Sequence, residues 1–237
     1  MITKETNDFE GIDFGEGEVI LVDKPAGWSS FKVVRKIRQA INVKKVGHAG
    51  TLDPGATGLL IVATGKKTKS ISEYQALEKT YTGTITLGKT SPSMDKETEI
   101  TSEKPFAHIS AEEIYKVRNE FLGTIKQTPP MYSAVKYKGK NLYRLARKGK
   151  EVEREAREVV VSDFKIPGIN LPDVDFEITC SKGTYIRAIA NDLGDRLGCG
   201  ALLSSLRRTK IGDYSVDDAF TIEKFIDKCS TKNIGYY

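Results

Sequence analysis

The sequence predicts an α+β fold: a mixed, mainly antiparallel sheet with helices packed on it. Three observations carry this expectation. Strand-like runs outnumber helical ones, several runs are joined by turns too short for a parallel crossover, and the clearest helical stretch has one apolar side. The 237 residues suffice for a substantial core, and 39% hydrophobic with 29% charged residues is the balance of a soluble folded chain.

The polar residues 1–17 read as a loose lead-in. EVILVDKP then forms a short buried strand stopped by Pro25, and Ser29 or Ser30 caps a helix over SFKVVRKIRQAI. In that helix Phe31, Val34, Ile37 and Ile41 recur at helical spacing, and Lys32, Arg35, Lys36 and Arg38 form a solvated face. The glycine-rich GHAGTLDPGATG is a loop, followed by the strand GLLIVAT, a polar helix around Lys67 to Leu77 and the half-buried strand TYTGTITLG. MDKETEITSE is a surface loop, and Ser110 with Glu113 makes a capping box for a helix reaching Phe121. Further strands are expected in REVVVSDFKI, DVDFEITCS and from Leu206 to Tyr214, with helices in NLYRLARKG, TYIRAIANDLGDRLG and from Thr221 onward.

The longest apolar run, Leu59 to Thr64, is far below the ~20 residues of a membrane helix, and MITKETNDFEG is no signal segment, so a cytoplasmic protein with no membrane association is expected. Cys180, Cys199 and Cys229 are widely spaced and read as buried free thiols. The net charge of +5 is compatible with nucleic acid without proving it.

Cofactor and metal patterns fail. Gly65-Lys66 is followed by lysine and lacks the upstream glycine of a phosphate loop, and Gly15-Glu16-Gly17 lacks the third glycine of a dinucleotide fingerprint. Two histidines, His48 and His108, are too few for an imidazole metal site, and neither the deaminase signature nor G-x-S-x-G occurs. No cofactor and no metal are expected. What the glycine loop offers is Asp53, ahead of Pro54, a carboxylate ionised at neutral pH that can attack without an activating base. By itself the loop reads equally well as an Asp-Pro turn.

Nine Lys or Arg residues lie between Lys136 and Arg157, interleaved with Tyr137 and Tyr143, a combination suited to RNA phosphates and bases. Glu151, Glu153 and Glu155 offer the plainer reading of a balanced, solvated hairpin. In SKGTYIRAIANDLG, Lys182, Tyr185 and Arg187 stand at a helix entry; an Arg187 that reached Asp53 would hold its carboxylate ionised.

Taken together, DKPAGWSS (23–30), KVGHAGTLDPGATGLL (45–60), KTYTGTITLG (79–88), PPMYSAVKYKGKNLYRLARKG (129–149) and CSKGTYIRAIANDLG (180–194) resemble the bacterial tRNA pseudouridine-55 synthases of the TruB type. The resemblance implies the pseudouridine synthase fold and isomerisation of uridine 55 in the TΨC loop of tRNA, by base flipping and an aspartate nucleophile. It makes Asp53 the nucleophile, attacking either the ribose or the uracil ring. His48 lies near the extruded nucleotide, Tyr81 stacks on the uracil and is a candidate for proton abstraction, and Tyr185 packs in the pocket. Arg187 is the ion-pair partner of the aspartate, Leu206 an apolar contact to the base, and Lys24 a support for the active-site loop.

The expected division is a lead-in over 1–17 and one catalytic domain over 18–237, without the separate C-terminal RNA-binding domain of longer family members. A stand-alone, monomeric enzyme acting on the T-arm stem-loop of tRNA, with no obligate protein partner, follows. A non-catalytic RNA-binding or RNA-folding protein and a synthase for another RNA are the competing readings.

Overall fold

The computed structural model describes residues 1–232. In chain order these form β1 Val19–Lys24, α1 Ser30–Ile41, β2 Val46–Ala49, β3 Thr57–Thr64, α2 Ile71–Ala76, β4 Lys79–Leu87, β5 Lys89–Thr90, β6 Ser102–Glu103, α3 Ala111–Asn119 and β7 Gly123–Gln127. The chain continues through β8 Lys136–Tyr137, β9 Lys140–Asn141, α4 Leu142–Ala146, β10 Arg157–Asn170, β11 Asp173–Cys180, α5 Ile186–Arg196, β12 Ala201–Ile211, β13 Tyr214–Ser215, β14 Phe220–Thr221 and α6 Ile222–Lys232. Strand pairs are mostly antiparallel, so the mixed α+β class is the one expected. Among the described residues two compact units are present, one made of residues 1–81 and 207–232 and the other of 82–206.

In the first unit β3 pairs antiparallel with β1 from Val19↔Ala63 to Lys24↔Gly58, and antiparallel with β2 from Val46↔Thr64 to Ala49↔Ile61. Arg207 and Arg208 of β12 run parallel beside Thr57 and Gly58, and β14 runs parallel beside β1. Successive side chains of a strand face opposite sides, and here both sides are covered. Ile20, Val22, Leu60 and Val62 enter one apolar cluster with Val33, Val34 and Ile37 of α1 and Phe225 of α6. Val19, Leu21, Leu59 and Ile61 enter another with Ala49, Ile211 and Val216. Burial on both faces explains why VILV and GLLIVA are unbroken apolar runs rather than alternating ones.

Several expectations change here. The lead-in is packed: Ile2 exchanges backbone hydrogen bonds with Val19 and Leu21, and Phe9 and Phe14 join the core with Phe220 and Phe225. Phe9 lies 5.6 Å from Phe14, 6.0 Å from Phe220 and 5.3 Å from Phe225, centroid to centroid. Part of the glycine loop is strand, since Gly47, His48 and Ala49 pair with Ala63, Val62 and Ile61. Ser29 caps α1, but its buried stripe is Ser30, Val33, Val34 and Ile37, leaving Phe31 65% exposed. The helix expected around Lys67 to Leu77 is a 3-10 segment, Gly65–Ser70, followed by α2.

The second unit has the strand order β12-β4-β11-β10-β7. Its long hairpin pairs β10 with β11 from Val161↔Cys180 to Asn170↔Asp173, and β7, unanticipated in the sequence, pairs with β10 from Arg157↔Gln127 to Val161↔Gly123. The capping box of α3 is formed, Ser110 N donating to Glu113 Oε2 at 2.8 Å and Glu113 N to Ser110 Oγ at 3.2 Å. The basic hairpin reduces to the two-residue ladder of β8 and β9 followed by the short α4. All three cysteines are buried free thiols.

Phe9→Ala removes a ring that is 2% exposed and touched by three others, so it is expected to cost about 3–5 kcal/mol in urea unfolding. A cost below about 1 kcal/mol would mean that the N-terminal segment adds little to the core.

Candidate active site

Asp53 sits in a β-turn of residues 53–56. Its carbonyl accepts from Ala56 N at 3.1 Å, with Pro54 at the second position, where its fixed φ suits the turn. The turn reading of the sequence is therefore correct, and it does not compete with a chemical role because the backbone around the carboxylate is tied on every side. Ser30 Oγ donates to Leu52 O at 3.2 Å and accepts from Leu52 N at 2.9 Å, and Gly27 N donates to Pro54 O at 2.8 Å.

Lys24 completes the clamp. It has no exposed surface, and its ammonium donates to Trp28 O at 2.6 Å, Pro25 O at 3.0 Å and Pro54 O at 3.3 Å. Three donors meet three carbonyls, which is the condition for burying an ammonium. Burial pulls its pKa down from 10.5 to about 8, the Asp53 and Asp23 carboxylates resisting and the Arg208 guanidinium reinforcing the fall. Lys24 is thus electrostatically coupled to Asp53 and hydrogen-bonded to the carbonyl of the next residue, Pro54.

Arg208 is the unanticipated member. It is 1% exposed, its Nε donates to Leu59 O at 2.7 Å and its terminal nitrogen to Gly50 O at 3.0 Å. Gly50 has φ +82°, and a Cβ there would lie 3.3 Å from that guanidinium, so the glycine allows the arginine its approach. His48, half-buried on β2, has its pKa held below 6.5 by burial and by Arg208, against a Gly50 backbone hydrogen bond that raises it. It is a neutral imidazole at neutral pH. Neighbouring Arg207 faces the other way and grips Asp23 with two bonds of 3.1 and 2.7 Å. Tyr81 lies on β4 and is 9% exposed; two residues earlier the Lys79 ammonium binds the carbonyls of Tyr74 and Gln75 at 3.4 and 2.6 Å, ending α2.

The second unit carries Tyr185, Arg187 and Leu206. Tyr185 precedes α5, and its backbone is held by the buried amide of Gln127: Tyr185 N donates to Gln127 Oε1 at 2.7 Å and Gln127 Nε2 to Tyr185 O at 3.0 Å. Its ring has the guanidinium carbons of Arg157 and Arg187 at 5.0 and 5.8 Å from the centroid, cation–π distances. Arg187 is 3% exposed, donates to Ser93 O at 3.3 Å and lies 3.9 Å from the Asp95 carboxylate. Asp95 belongs to the segment expected as a plain acidic surface loop. That segment is built: Ser93 Oγ lies 2.8 Å from Thr98 Oγ1, and Asp95 Oδ1 accepts from Glu97 N at 2.9 Å. Leu206 is half-buried on β12. In the first unit Lys24 is coupled to both Asp53 and Arg208, and His48 to Arg208, and the second unit gathers Tyr185 and Arg187. Among the described residues no cluster of His, Cys, Asp and Glu could hold a metal, and no helix is long and apolar enough to cross a membrane.

Residues 38–186 match the TruB family pseudouridylate synthase (N terminal domain), and residues 187–233 match the tRNA pseudouridylate synthase B C-terminal domain. A tRNA pseudouridine synthase B of Chloroherpeton thalassium is 51% identical over 218 residues, covering 90% of each chain. One of Flavobacterium johnsoniae is 49% identical over 220 residues, covering 90% of this chain and 96% of the relative. Among solved structures, a Cbf5-Nop10-Gar1 complex contains a chain 30% identical, with a TM-score of 0.75 over 100% of this chain and 61% of that one. An H/ACA RNP bound to a substrate RNA containing 2'-deoxyuridine has a TM-score of 0.70 at 28% identity, with 94% of this chain and 57% of that one covered. This chain therefore spans about three fifths of the length of those solved chains. The fold is that of a pseudouridine synthase. The chain belongs to the TruB family of pseudouridylate synthases.

The state of Lys24 gives a pH prediction. Its folded pKa of about 8 lies below the unfolded 10.5, so between these values the unfolded chain binds more protons and this group stabilises the fold as pH rises. Over the same range the cation beside Asp53 and one of its three N–H donors are lost. Turnover is expected to fall with a midpoint near pH 8 without a parallel drop in thermal stability. A rate that stays flat to about pH 9, or that falls only with unfolding, refutes the role of this ammonium.

Proposed function

We propose that this enzyme isomerises uridine 55 in the TΨC loop of tRNA to pseudouridine, with Asp53 as nucleophile. The N1 glycosidic bond breaks, the uracil turns, C5 bonds to the same ribose C1', the C5 proton leaves and N1 gains one. The observation that carries the reading is the fixed Asp53 turn: the carboxylate is presented by a backbone bound through Lys24, Ser30, Gly27 and Ala56. Such fixing limits the reorganisation needed to meet the reacting carbon. The tRNA named for the curated relatives supports the substrate.

Tyr81 stacks on the uracil and takes the C5 proton, Tyr185 and Leu206 pack against the base, His48 holds the rearranged loop as a neutral donor or acceptor, and Arg187 keeps the Asp53 carboxylate ionised. The reaction needs no cofactor or metal. Extruding the base costs a few kcal/mol, which stacking of about 1–3 kcal/mol per base and phosphate contacts from the basic segment 136–157 offset. The enzyme works as a cytoplasmic monomer without an obligate protein partner.

Release of tritium from tRNA labelled at uridine C5 tests the assignment. Asp53→Asn is expected to release none while binding tRNA as tightly as the parent; full turnover in that variant, or a folded parent that releases no label, refutes the nucleophile and favours a non-catalytic RNA-folding role. Tyr81→Phe keeps the ring and loses the hydroxyl, so binding is expected to persist with turnover lost. An equally active variant removes Tyr81 from proton transfer.

A further inference from the structure

From Lys24 to Leu52 the chain has seven basic residues, Lys24, Lys32, Arg35, Lys36, Arg38, Lys44 and Lys45, and no acidic one. Two are used inside the fold: Lys24 clamps the Asp53 turn, and Arg38 donates to Val46 O at 3.2 Å. The other five lie along the outward side of α1 and the loop that follows. Among the described residues none of the five forms an ion pair, although Lys66, Lys89, Arg147, Arg154, Lys165 and Arg196 all do. The Lys32 ammonium lies 3.9 Å from the centroid of the Trp28 ring. Beside it Phe31 is 65% exposed.

We propose that this face, Lys32, Arg35, Lys36, Lys44 and Lys45, binds the sugar-phosphate backbone of the RNA substrate away from the target nucleotide. The inference rests on the function proposed above and adds a second anchor to it. Geometry supports the placement: α1 starts at Ser30, whose hydroxyl holds the Asp53 loop at Leu52, and its 12 residues extend about 18 Å from there. At about 3.4 Å per nucleotide of one strand, that length parallels roughly five phosphates. An anionic membrane is a poorer match, because the apolar stripe an interfacial helix would insert, Val33, Val34 and Ile37, is already buried in the core.

The test compares the variant Lys32→Gln, Arg35→Gln, Lys36→Gln with a control of equal charge change, Lys4→Gln, Lys66→Gln, Lys165→Gln, whose lysines are already ion-paired. Affinity for full-length tRNA is measured against salt, and tritium release gives kcat and KM. The face variant is expected to flatten the slope of log K against log salt by about two to three, to weaken binding at least about tenfold at low salt, and to raise KM with kcat kept. The control should change little. An unchanged slope, an equal loss in the control, a fall in kcat at saturating tRNA, or lost binding to anionic vesicles with tRNA affinity intact overturns the inference. If the triple variant melts early, Lys44→Gln, Lys45→Gln, outside the helix, is expected to flatten the slope by about one to two, and no change there also overturns it. A parent that releases no tritium while the face variant still loses RNA affinity refutes the proposed reaction and leaves this surface standing.

Discussion

A lysine ammonium sealed from water joins the end of β1 to the turn that carries Asp53. Its three carbonyl partners come from Pro25, Trp28 and Pro54, so one charge fixes the strand end, the approach to α1 and the Asp53 turn together. Burying an isolated ammonium is prohibitive, and the site tolerates it because all three protons are bound and the Asp23 and Asp53 carboxylates favour the charged form. Asp-Pro turns are common; this one differs in resting on a buried charge whose withdrawal would take a donor from the carbonyls of Pro25, Trp28 and Pro54.

The surrounding architecture serves the same end. A sheet apolar on both faces gives β1 and β3 a rigid register, and rigidity at Lys24↔Gly58 passes to the residues flanking the turn. In the second unit the amide of Gln127 acts on Tyr185 as a rung of β-ladder would, closing both backbone bonds from a single side chain. The two devices share a principle: a fully satisfied buried polar group fixes the backbone of a chosen residue, Asp53 or Tyr185, where apolar packing alone would not specify it.

Much of this was legible in the sequence, and the failures have physical causes. The Ser29 cap, the capping box at Ser110 and the strands at 19–24 and 57–64 follow from local chemistry and apolar patterning. Gly47-His48-Ala49 has no strand propensity of its own and becomes strand because β3 offers it an edge. Phe31 fits the helical spacing of the apolar residues, but Ser30 must face Leu52, which rotates the buried stripe away from it. The polar composition of residues 1–17 hides three well-placed apolar anchors, Ile2, Phe9 and Phe14. The Asp53 turn was readable because Asp-Pro beside glycine is turn chemistry written in the loop itself. Arg208 and Gln127 were not, since their roles come from the distant carbonyls of Gly50 and Leu59 and the distant backbone of Tyr185.

The consecutive arginines of β12 answer to opposite environments. Arg207 meets a carboxylate near solvent, and Arg208 fills a dry slot lined by main-chain oxygens. Gly58 sits against the Arg208 backbone so closely that a Cβ would come within 2.3 Å of its carbonyl oxygen, which leaves no slack between the strands. A slip of one position would turn each side chain to the opposite face, putting Asp23 out of reach of its partner and stranding a guanidinium among hydrocarbon. The doublet therefore works as a key cut on both edges: cations, rather than apolar side chains, specify how this last long strand is threaded.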